Sequence, residues 1–320
     1  MDIPAAFATA AARRFTSGPE FQAFLQQVLG QEFTAWFSAK LARREEWQKL
    51  DMAPGAAAGF AAAWTALLAQ RPASLMEVLA LTAIMINETG GSFRPITEKM
   101  GRTGHPGLAY LFDAIPGVKR SYNQPPNITA GRLFRDPAFN AAHGKKPLGA
   151  ALAGSKDRVW DGTAYPQGST PFQPDPAVTG YVMEADFCKF RGRGLIQTTW
   201  REAYRPLVSF IQAYAGPQAL VAEYRERWAG QAPEAVLTAS SNADWDRLFQ
   251  QSELVIPCAA MLAHAKAGGY LPLAAEAAVL NGTGKGSVLN LGKRISGGEA
   301  YARLFKARVG RMAVAMPRLG

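Results

Sequence analysis

The chain has 320 residues, of which 48% are hydrophobic and 19% are charged. This length and composition are typical of a globular protein that buries a sizeable core, and they exclude a disordered or collagen-like chain. The formal net charge is +10. A basic surface favours polyanionic partners such as nucleic acid, an anionic membrane or an anionic cell wall, although solubility alone also explains the charge.

No apolar run reaches the roughly 18 to 20 uncharged residues that a membrane-spanning helix needs. The longest run, SLMEVLALTAIMIN, is too short and contains Glu77. The N-terminal sequence MDIPAAFATAAARR starts with an acidic residue after Met and carries its arginine pair behind the apolar part, the reverse of a secretory signal. These patterns predict no integral membrane segment and synthesis in the cytoplasm without a Sec signal.

Residues 1–72 are predicted to be helical, because apolar residues recur at helical spacing in GPEFQAFLQQVLGQEFTAWFSAKLARREEWQKL. After a break, the alanine-rich stretch FAAAWTALLAQ resumes the pattern. The segment contains no acid–base constellation. We interpret it as a helical N-terminal extension with a docking or delivery role.

The segment RPASLMEVLALTAIMINETGG predicts a central helix. Ser74 is a candidate N-cap, and Glu77 three residues later completes a capping-box pattern. The helix is apolar on nearly every side, so we expect it to lie in the core. Gly90 and Gly91 are typical of a left-handed helix end.

From residue 101 to about 180 the sequence is rich in Pro, Gly, Asn and Asp, which predicts long loops with short helical pieces. Such long loops in a compact protein are more often functional than idle. A mostly helical part follows from DFCKFRGRGLIQTTWREAYRPL onward, and in it Pro257 fits the first turn of a helix. Strand-like patterning is limited to short stretches near 93–98 and 187–191. The sequence therefore predicts a mainly α protein.

The chain contains two cysteines, Cys188 and Cys258, and three scattered histidines. These are too few for a disulfide scaffold, and their spacing does not match a metal site. We expect the cysteines to be free and buried and His264 to lie in the core. No metal or organic cofactor is expected, and the basic C-terminal part lacks a nucleic-acid reader motif.

Two carboxylates, Glu88 and Glu98, lie ten residues apart. Burial and the negative end of the helix dipole both disfavour the charged form of Glu88, which suits a general acid. Glu98 lies beside Lys99 and Arg102 in a wetter, more positive setting that suits a general base. Such a pair is typical of glycosidic bond cleavage, although a Glu before Gly-Gly and a second Glu ten residues later are also common without a catalytic role.

The stretch NETGGSF resembles the HETTGG or HESGGF motif of glycoside hydrolase family 19, the chitinases and phage-type endolysins. FRGRGLIQTTWREAY, residues 190–204, resembles the family's YKGRGLIQLTGRANY, and TEK stands where bacterial and phage members carry the EN of ENLNYS. RISGGEAYARL is a weaker match to the family's INGG segment, which precedes an Arg- and Tyr-bearing helix. The resemblance covers about residues 75–310.

This resemblance implies that Glu88 is the general acid and Glu98 the general base. It also implies that Gln197 and Thr199 bind sugar and hold the attacking water. The remaining positions that it assigns to the site are Arg193, which flanks a turn, Tyr204, which either touches substrate or packs, and Asn281 and Ser296, which are alternatives for the Asn of INGG.

The sequence departs from the family pattern at several of these positions. Asn87 replaces the His before the acid, and Ala203 replaces the Asn before Tyr204. KMGRT replaces the NLNYS that follows the second acid. These changes alter sugar-binding groups, so they affect the expected substrate more than the expected fold.

The resemblance implies a lysozyme-like two-lobed helical domain with a catalytic cleft over residues 73–320 and a loop-rich insertion at about 101–180. It implies an inverting glycoside hydrolase that cleaves β-1,4 bonds of an N-acetylhexosamine polymer. Peptidoglycan is favoured as the substrate because its anionic character suits the basic chain. The protein would reach the cell wall through lysis or specialised secretion. An immunity or delivery protein is expected as a further partner. Three alternatives stay open: a chitinase, a lytic transglycosylase that uses Glu88 alone, and a non-catalytic wall-binding protein.

Overall fold

A computed structural model describes residues 5–98, 101–102, 105–106, 189–267, 278–284, 286–296 and 298–316. Of these described residues 66% are helical, which confirms the predicted mainly α class. Within these ranges, no helix is both long enough and apolar enough to cross a membrane. The predicted insertion at 101–180 lies almost entirely outside the described residues. Cys188 also lies outside them.

Contacts divide the chain into two compact units. The first contains Met1–Ile96, Gly194–Ile196 and Glu253–Gly320, and the second contains Thr97–Arg193 and Gln197–Ser252. The helices of residues 1–72 therefore belong to the first unit together with the C-terminal helices. The docking or delivery role of residues 1–72 stays a prediction.

The first unit is mostly helical. Its described helices are α1 (Ala5–Ala10), α2 (Gly18–Leu29), α3 (Phe33–Lys40), a 3₁₀ helix (Glu45–Trp47), α4 (Ala56–Gln70), α5 (Leu75–Thr89), α10 (Val255–Ala267), α11 (Ala278–Asn281), α12 (Val288–Ser296) and α13 (Glu299–Ala315). A short antiparallel pair, β1 (Arg14–Phe15) and β2 (Ala73–Ser74), joins Arg14 to Ser74 and Phe15 to Ala73.

The second unit carries four of the described helices and one strand pair. Its described helices are α6 (Arg201–Gln212), α7 (Ala219–Arg227), α8 (Pro233–Ala239) and α9 (Asn242–Gln251). The strands β4 (Gly101–Arg102) and β5 (His105–Pro106) form an antiparallel pair. A further two-stranded sheet joins β3 (Ile96–Thr97) to β6 (Arg193–Gly194), and the boundary between the units falls within both strands.

Aromatic side chains from the N-terminal helices form much of the core of the first unit. Phe33 and Phe60 stack with ring centroids 4.4 Å apart, and Phe21 meets Trp64 edge-on at 5.2 Å. Pairs of this kind contribute about 0.5–1.5 kcal/mol each beyond the apolar area they bury. Residues 1–72 thus share one hydrophobic core with α5 and α13.

The central helix α5 follows its predicted boundaries. Ser74 accepts a hydrogen bond from the Glu77 amide, and the Glu77 carboxylate accepts one from the Ser74 amide, so the predicted capping box is present. Every residue from Leu75 to Ile86 is buried, as the apolar pattern predicts. Gly90 ends the helix in the left-handed conformation, with φ of 58°.

Three further local predictions are confirmed. Pro257 lies in the first turn of α10. Cys258 is free and buried, and burial raises the pKa of its thiol. His264 is largely enclosed, and burial together with the charge of Arg294 lowers the pKa of its imidazole.

The second unit has its own core of aromatic side chains. Tyr204 meets Trp245 edge-on with ring centroids 4.9 Å apart, and Phe190 meets Tyr204 at 5.1 Å. Lys189 is fully buried beside this core. Its ammonium group donates to the main-chain oxygens of the last residues of α8 and the residue after it, Leu237, Thr238 and Ser240, at 3.1, 3.1 and 2.8 Å. A buried cation is tolerated there because the carbonyl groups at a helix C-terminus lack helical partners.

Candidate active site

Glu88 lies in the last turn of α5, at the point where the chain leaves the helix. The amides of Gly90 and Gly91 both donate to the Ile86 carbonyl, and both glycines have positive φ. The Thr89 hydroxyl donates to the Met85 carbonyl at 2.6 Å. These bonds fix the helix end, so the partly exposed Glu88 side chain projects from a rigid support.

Two donors converge on one oxygen of Glu88. Asn87 Nδ2 donates to Glu88 Oε1 at 2.8 Å, and the Tyr301 hydroxyl donates to the same atom at 3.2 Å. The Asn87 side chain is itself held in place, because Arg308 Nη1 donates to its Oδ1 at 2.6 Å. Glu88 is thus the end of a hydrogen-bonded chain that begins on α13.

Arg308 is the anchor of this chain, with only 4% of its surface exposed. Its Nε donates to the Glu46 carbonyl at 2.7 Å, and its guanidinium lies 5.0 Å from the centroid of the Trp47 ring. Burial lowers the pKa of Arg308, while the nearby Tyr301 and Glu88 oppose that shift. Several contacts therefore hold the guanidinium in one orientation.

The surroundings of Glu88 also affect neighbouring groups. Burial raises the pKa of Tyr301, and the adjacent Glu88 carboxylate raises it further. Burial tends to raise the pKa of Glu46, but the hydrogen bonds to its carboxylate and the charges of Arg311 and Arg44 together outweigh burial, and the net shift is downward. Tyr301 therefore stays a neutral hydrogen-bond donor at physiological pH, and Glu46 stays a carboxylate.

Glu98 lies in the second unit and is bonded to the main chain of Gly192. The Glu98 amide donates to the Gly192 carbonyl at 2.8 Å, and the Gly192 amide donates back to Glu98 Oε2 at 3.1 Å. The side chain is partly exposed. This reciprocal contact attaches Glu98 directly to the segment FRGRGLIQTT.

Gln197 and Thr199 lie around the same glycine. A Cβ atom at Gly192 would come within 2.7 Å of Gln197 Oε1 and 3.3 Å of Thr199 Oγ1. The Thr199 hydroxyl donates to the Gln197 carbonyl at 2.7 Å. The second unit therefore brings Glu98, Gln197 and Thr199 together at Gly192, and the side chains of Gln197 and Thr199 lie close to the space that a Cβ atom there would occupy.

Arg193 and Tyr204 are fully buried and support this segment from within. Arg193 donates to Asp246 Oδ1 and Asn242 Oδ1, both at 2.7 Å, and to the Tyr204 hydroxyl at 3.0 Å. The Tyr204 hydroxyl donates to the Arg191 carbonyl at 2.8 Å. Of the two roles considered for Tyr204, the geometry matches packing, and Arg193 holds the turn.

The other two predicted positions lie in the first unit. Asn281 is exposed at the end of α11, and its carbonyl oxygen accepts from Lys306 Nζ at 3.2 Å. Ser296 is the last residue of α12, and its side chain lies outside the described part of the structure. The two alternatives for the Asn of INGG therefore stay open.

Sequence reasoning missed the contact partners of Glu88. RISGGEAYARL resembles the INGG segment and the start of the Arg- and Tyr-bearing helix that follows it, and Tyr301 lies in that stretch. Arg308 lies seven residues, or two helical turns, beyond Tyr301, so both occupy the same face of α13. This spacing was the available signal. Asn242 and Asp246 are hydrogen-bond partners of Arg193, and no comparable pattern in the sequence points to them.

Comparison with protein-family models, with curated proteins and with solved structures gave no match. Among the residues that the structure describes, no group of three or more His, Cys, Asp or Glu side chains is arranged to hold a metal ion.

Proposed function

We propose that this chain is a glycoside hydrolase of lysozyme-like, two-lobed fold that cleaves β-1,4 bonds in an N-acetylhexosamine polymer, with peptidoglycan as the favoured substrate. The observation that carries the proposal is the setting of Glu88. A partly exposed carboxyl group projects from the end of a buried helix, and two donors fix one of its oxygens. A general acid needs such a fixed position to deliver a proton to a leaving oxygen.

The proposed reaction is a single displacement with inversion. Glu88 donates its proton to the glycosidic oxygen as the bond from the anomeric carbon to that oxygen breaks. A water molecule attacks the anomeric carbon from the opposite face and transfers a proton to Glu98. The role of Glu98 rests on the sequence resemblance, and the grouping of Glu98 with Gln197 and Thr199 around Gly192 supports it.

One observation favours a second candidate, a lytic transglycosylase. Glu98 Oε2 accepts a hydrogen bond from the Gly192 amide, so this carboxylate already has a main-chain partner within its own unit. If that contact is the whole role of Glu98, Glu88 acts alone. The sugar then closes on itself and forms an anhydro end instead of taking up water.

The test is mass spectrometry of the fragments released from purified peptidoglycan by the wild type, Glu88→Gln and Glu98→Gln. Both substitutions keep an oxygen that can accept the hydrogen bonds described above. Glu226→Gln is the matched control, because the Glu226 side chain is exposed and, within the described part of the chain, pairs only with Arg225 at 3.4 Å. We expect hydrated reducing ends from the wild type and the control, and loss of product of at least about 100-fold in each of the other variants.

Each other outcome selects an alternative. Anhydro ends that disappear only in Glu88→Gln indicate the transglycosylase. Release from chitin oligomers but not from peptidoglycan indicates a chitinase. Binding to both polymers with no fragment from either contradicts the proposal and indicates a wall-binding protein.

A further inference from the structure

The two oxygens of the Glu88 carboxyl group have different surroundings. Oε1 accepts hydrogen bonds from Asn87 and Tyr301. Within the described part of the chain, Oε2 receives no hydrogen bond. A carboxylic acid carries its proton on one oxygen only, and an oxygen that already faces two donor hydrogens has no free position for a third. The surroundings therefore favour the proton on Oε2.

This asymmetry depends on which way the Asn87 amide points. An amide can present either its oxygen or its NH₂ group, and the neighbouring hydrogen-bond partners select one. Arg308 has only donors, so it requires the Asn87 oxygen, at 2.6 Å from Nη1. The NH₂ group must then face Glu88. Arg308 cannot turn away, because the Glu46 carbonyl and the Trp47 ring hold it.

The second donor to Glu88 is the Tyr301 hydroxyl, and its protonation state is fixed. Burial and the adjacent carboxylate both raise the pKa of its hydroxyl, so the hydroxyl keeps its hydrogen throughout the assay range. Among the described residues, the titratable and charged groups bonded to Glu88, directly or through Asn87, are Tyr301 and Arg308 on α13, and Arg308 in turn contacts Glu46, which pairs with Arg311. Glu46 stays a carboxylate at neutral pH, so none of these groups changes charge between about pH 5 and 9.

We infer that Asn87, oriented by Arg308, and Tyr301 are positioning residues that hold the acid proton of Glu88 on Oε2 and stabilise the carboxylate left behind on Oε1. This inference rests on the proposed role of Glu88 as the general acid. When Glu88 gives up its proton, both donors strengthen their bonds to the new negative charge. Their effect is therefore larger in the transition state than in the ground state, so it should appear in kcat and not in KM.

Asn87→Asp and Tyr301→Phe test the inference on peptidoglycan or chitin oligomers, whichever the wild type cleaves. Asp keeps an acceptor for Arg308 but replaces the donor that faces Glu88. Phe removes the hydroxyl but keeps the ring, which lies parallel to Phe305 with centroids 6.4 Å apart. We expect kcat to fall about 10- to 100-fold in each variant with KM nearly constant, which is the size of one hydrogen bond to a charged group.

The pH–rate profile separates a positioning role from a structural one. With one donor fewer, the carboxylate that forms at Glu88 during the reaction is less stable, so the alkaline limb of the pH–rate profile should move upward. Asn87→His carries an N–H donor and should recover part of the loss. Tyr214→Phe, which removes a hydroxyl in the second unit, is the control and should match the wild type in both kcat and limb position.

Two different results overturn the inference. If the wild type cleaves its polymer and both variants keep the wild-type kcat and pH limb, the proposed function stands and the positioning role is wrong. The inference also fails if kcat falls equally in Asn87→Asp, Asn87→His and Tyr301→Phe while the alkaline limb of the pH–rate profile does not move. That result would indicate a merely structural network. If the wild type releases no fragment from either polymer, the proposed function fails, and the inference fails with it.

Discussion

Trp200 adopts a backbone conformation that residues other than glycine rarely adopt, with φ of 84° and ψ of 142°. Residues 190–204 resemble the glycoside hydrolase family 19 segment YKGRGLIQLTGRANY, which has a glycine at the position of Trp200. A bulky residue in this region costs about 1–3 kcal/mol and persists only when something else requires it. Trp200 is also 37% exposed, unusually high for a large apolar side chain in this structure, and it directly follows Thr199. We expect its indole to stack on a sugar ring.

Trp200→Gly and Trp200→Ala together separate the backbone strain from the role of the ring. Both variants lose the indole, but only glycine relaxes at positive φ, so the Gly variant should be more stable than the Ala variant by about 1–2 kcal/mol. In an ordinary helical position the order is reversed. Urea unfolding followed by circular dichroism measures the difference, and equal stabilities would show that the position is unstrained.

The same two variants test the stacking role. If the indole binds sugar, KM for polymer cleavage should rise several-fold and equally in both variants, because an aromatic contact contributes about 0.5–1.5 kcal/mol. Both variants lack the indole, and they differ only in backbone freedom. A rise in KM in only one of them would therefore contradict stacking.

At the scale of elements, the packing of α12 against α13 sets the position of the partners of Glu88. Gly292 in α12 lies so close to α13 that a Cβ atom there would come within 2.8 Å of Phe305 Cδ1 and 2.9 Å of the Ala302 Cα atom. Ala302 is the neighbour of Tyr301. The approach of the two helices at this glycine therefore helps to place the Tyr301 hydroxyl on Glu88.

Gly292→Ala should destabilise the protein by about 1–3 kcal/mol, because the added methyl group meets backbone that cannot yield without moving α13. The same change inside an exposed helix normally stabilises by about 1 kcal/mol, so the sign alone is informative. It should also lower kcat, since α13 carries Tyr301. Chemical unfolding and the fragment assay measure the two effects.

Gly284→Ala is the matched control for this prediction. Gly284 is exposed, and a Cβ atom there would have no neighbour within 4 Å. We expect its stability to stay within about 0.5 kcal/mol of the wild type. A Gly292→Ala variant as stable as this control would mean that α12 and α13 are not in close contact at that residue.

Elements with local signals were predictable, whereas contacts between distant elements were not. The capping box at Ser74, the left-handed Gly90 and the apolar pattern between them defined α5 from the sequence, because each acts within a few residues. The bond from Tyr301 to Glu88 joins residues 213 positions apart, and no local pattern specifies such a pairing. The burial of Arg193 was unexpected for the same reason, since its partners Asn242 and Asp246 lie on α9.

At the scale of the whole molecule, the 35 Lys and Arg residues outnumber the 25 Asp and Glu residues. Many described cations are engaged in ion pairs, such as Arg247 with Glu223 and Lys293 with Glu299. Because each pair uses one charge of each sign, pairing leaves the excess of ten cations in place. Exposed pairs contribute little to stability, so the excess concerns association more than folding.

This excess predicts that binding to peptidoglycan weakens as salt is added. The screening length falls from about 10 Å at 0.1 M to about 3 Å at 1 M salt, so a long-range attraction to an anionic wall is lost while short contacts persist. The measurement is co-sedimentation of the inactive Glu88→Gln variant with purified sacculi across this range. Uncharged chitin particles are the control, and binding to them should not change. Affinity for sacculi that stays constant from low to high salt would show that the basic surface does not select the wall, and that stacking and hydrogen bonding at the site must account for substrate choice.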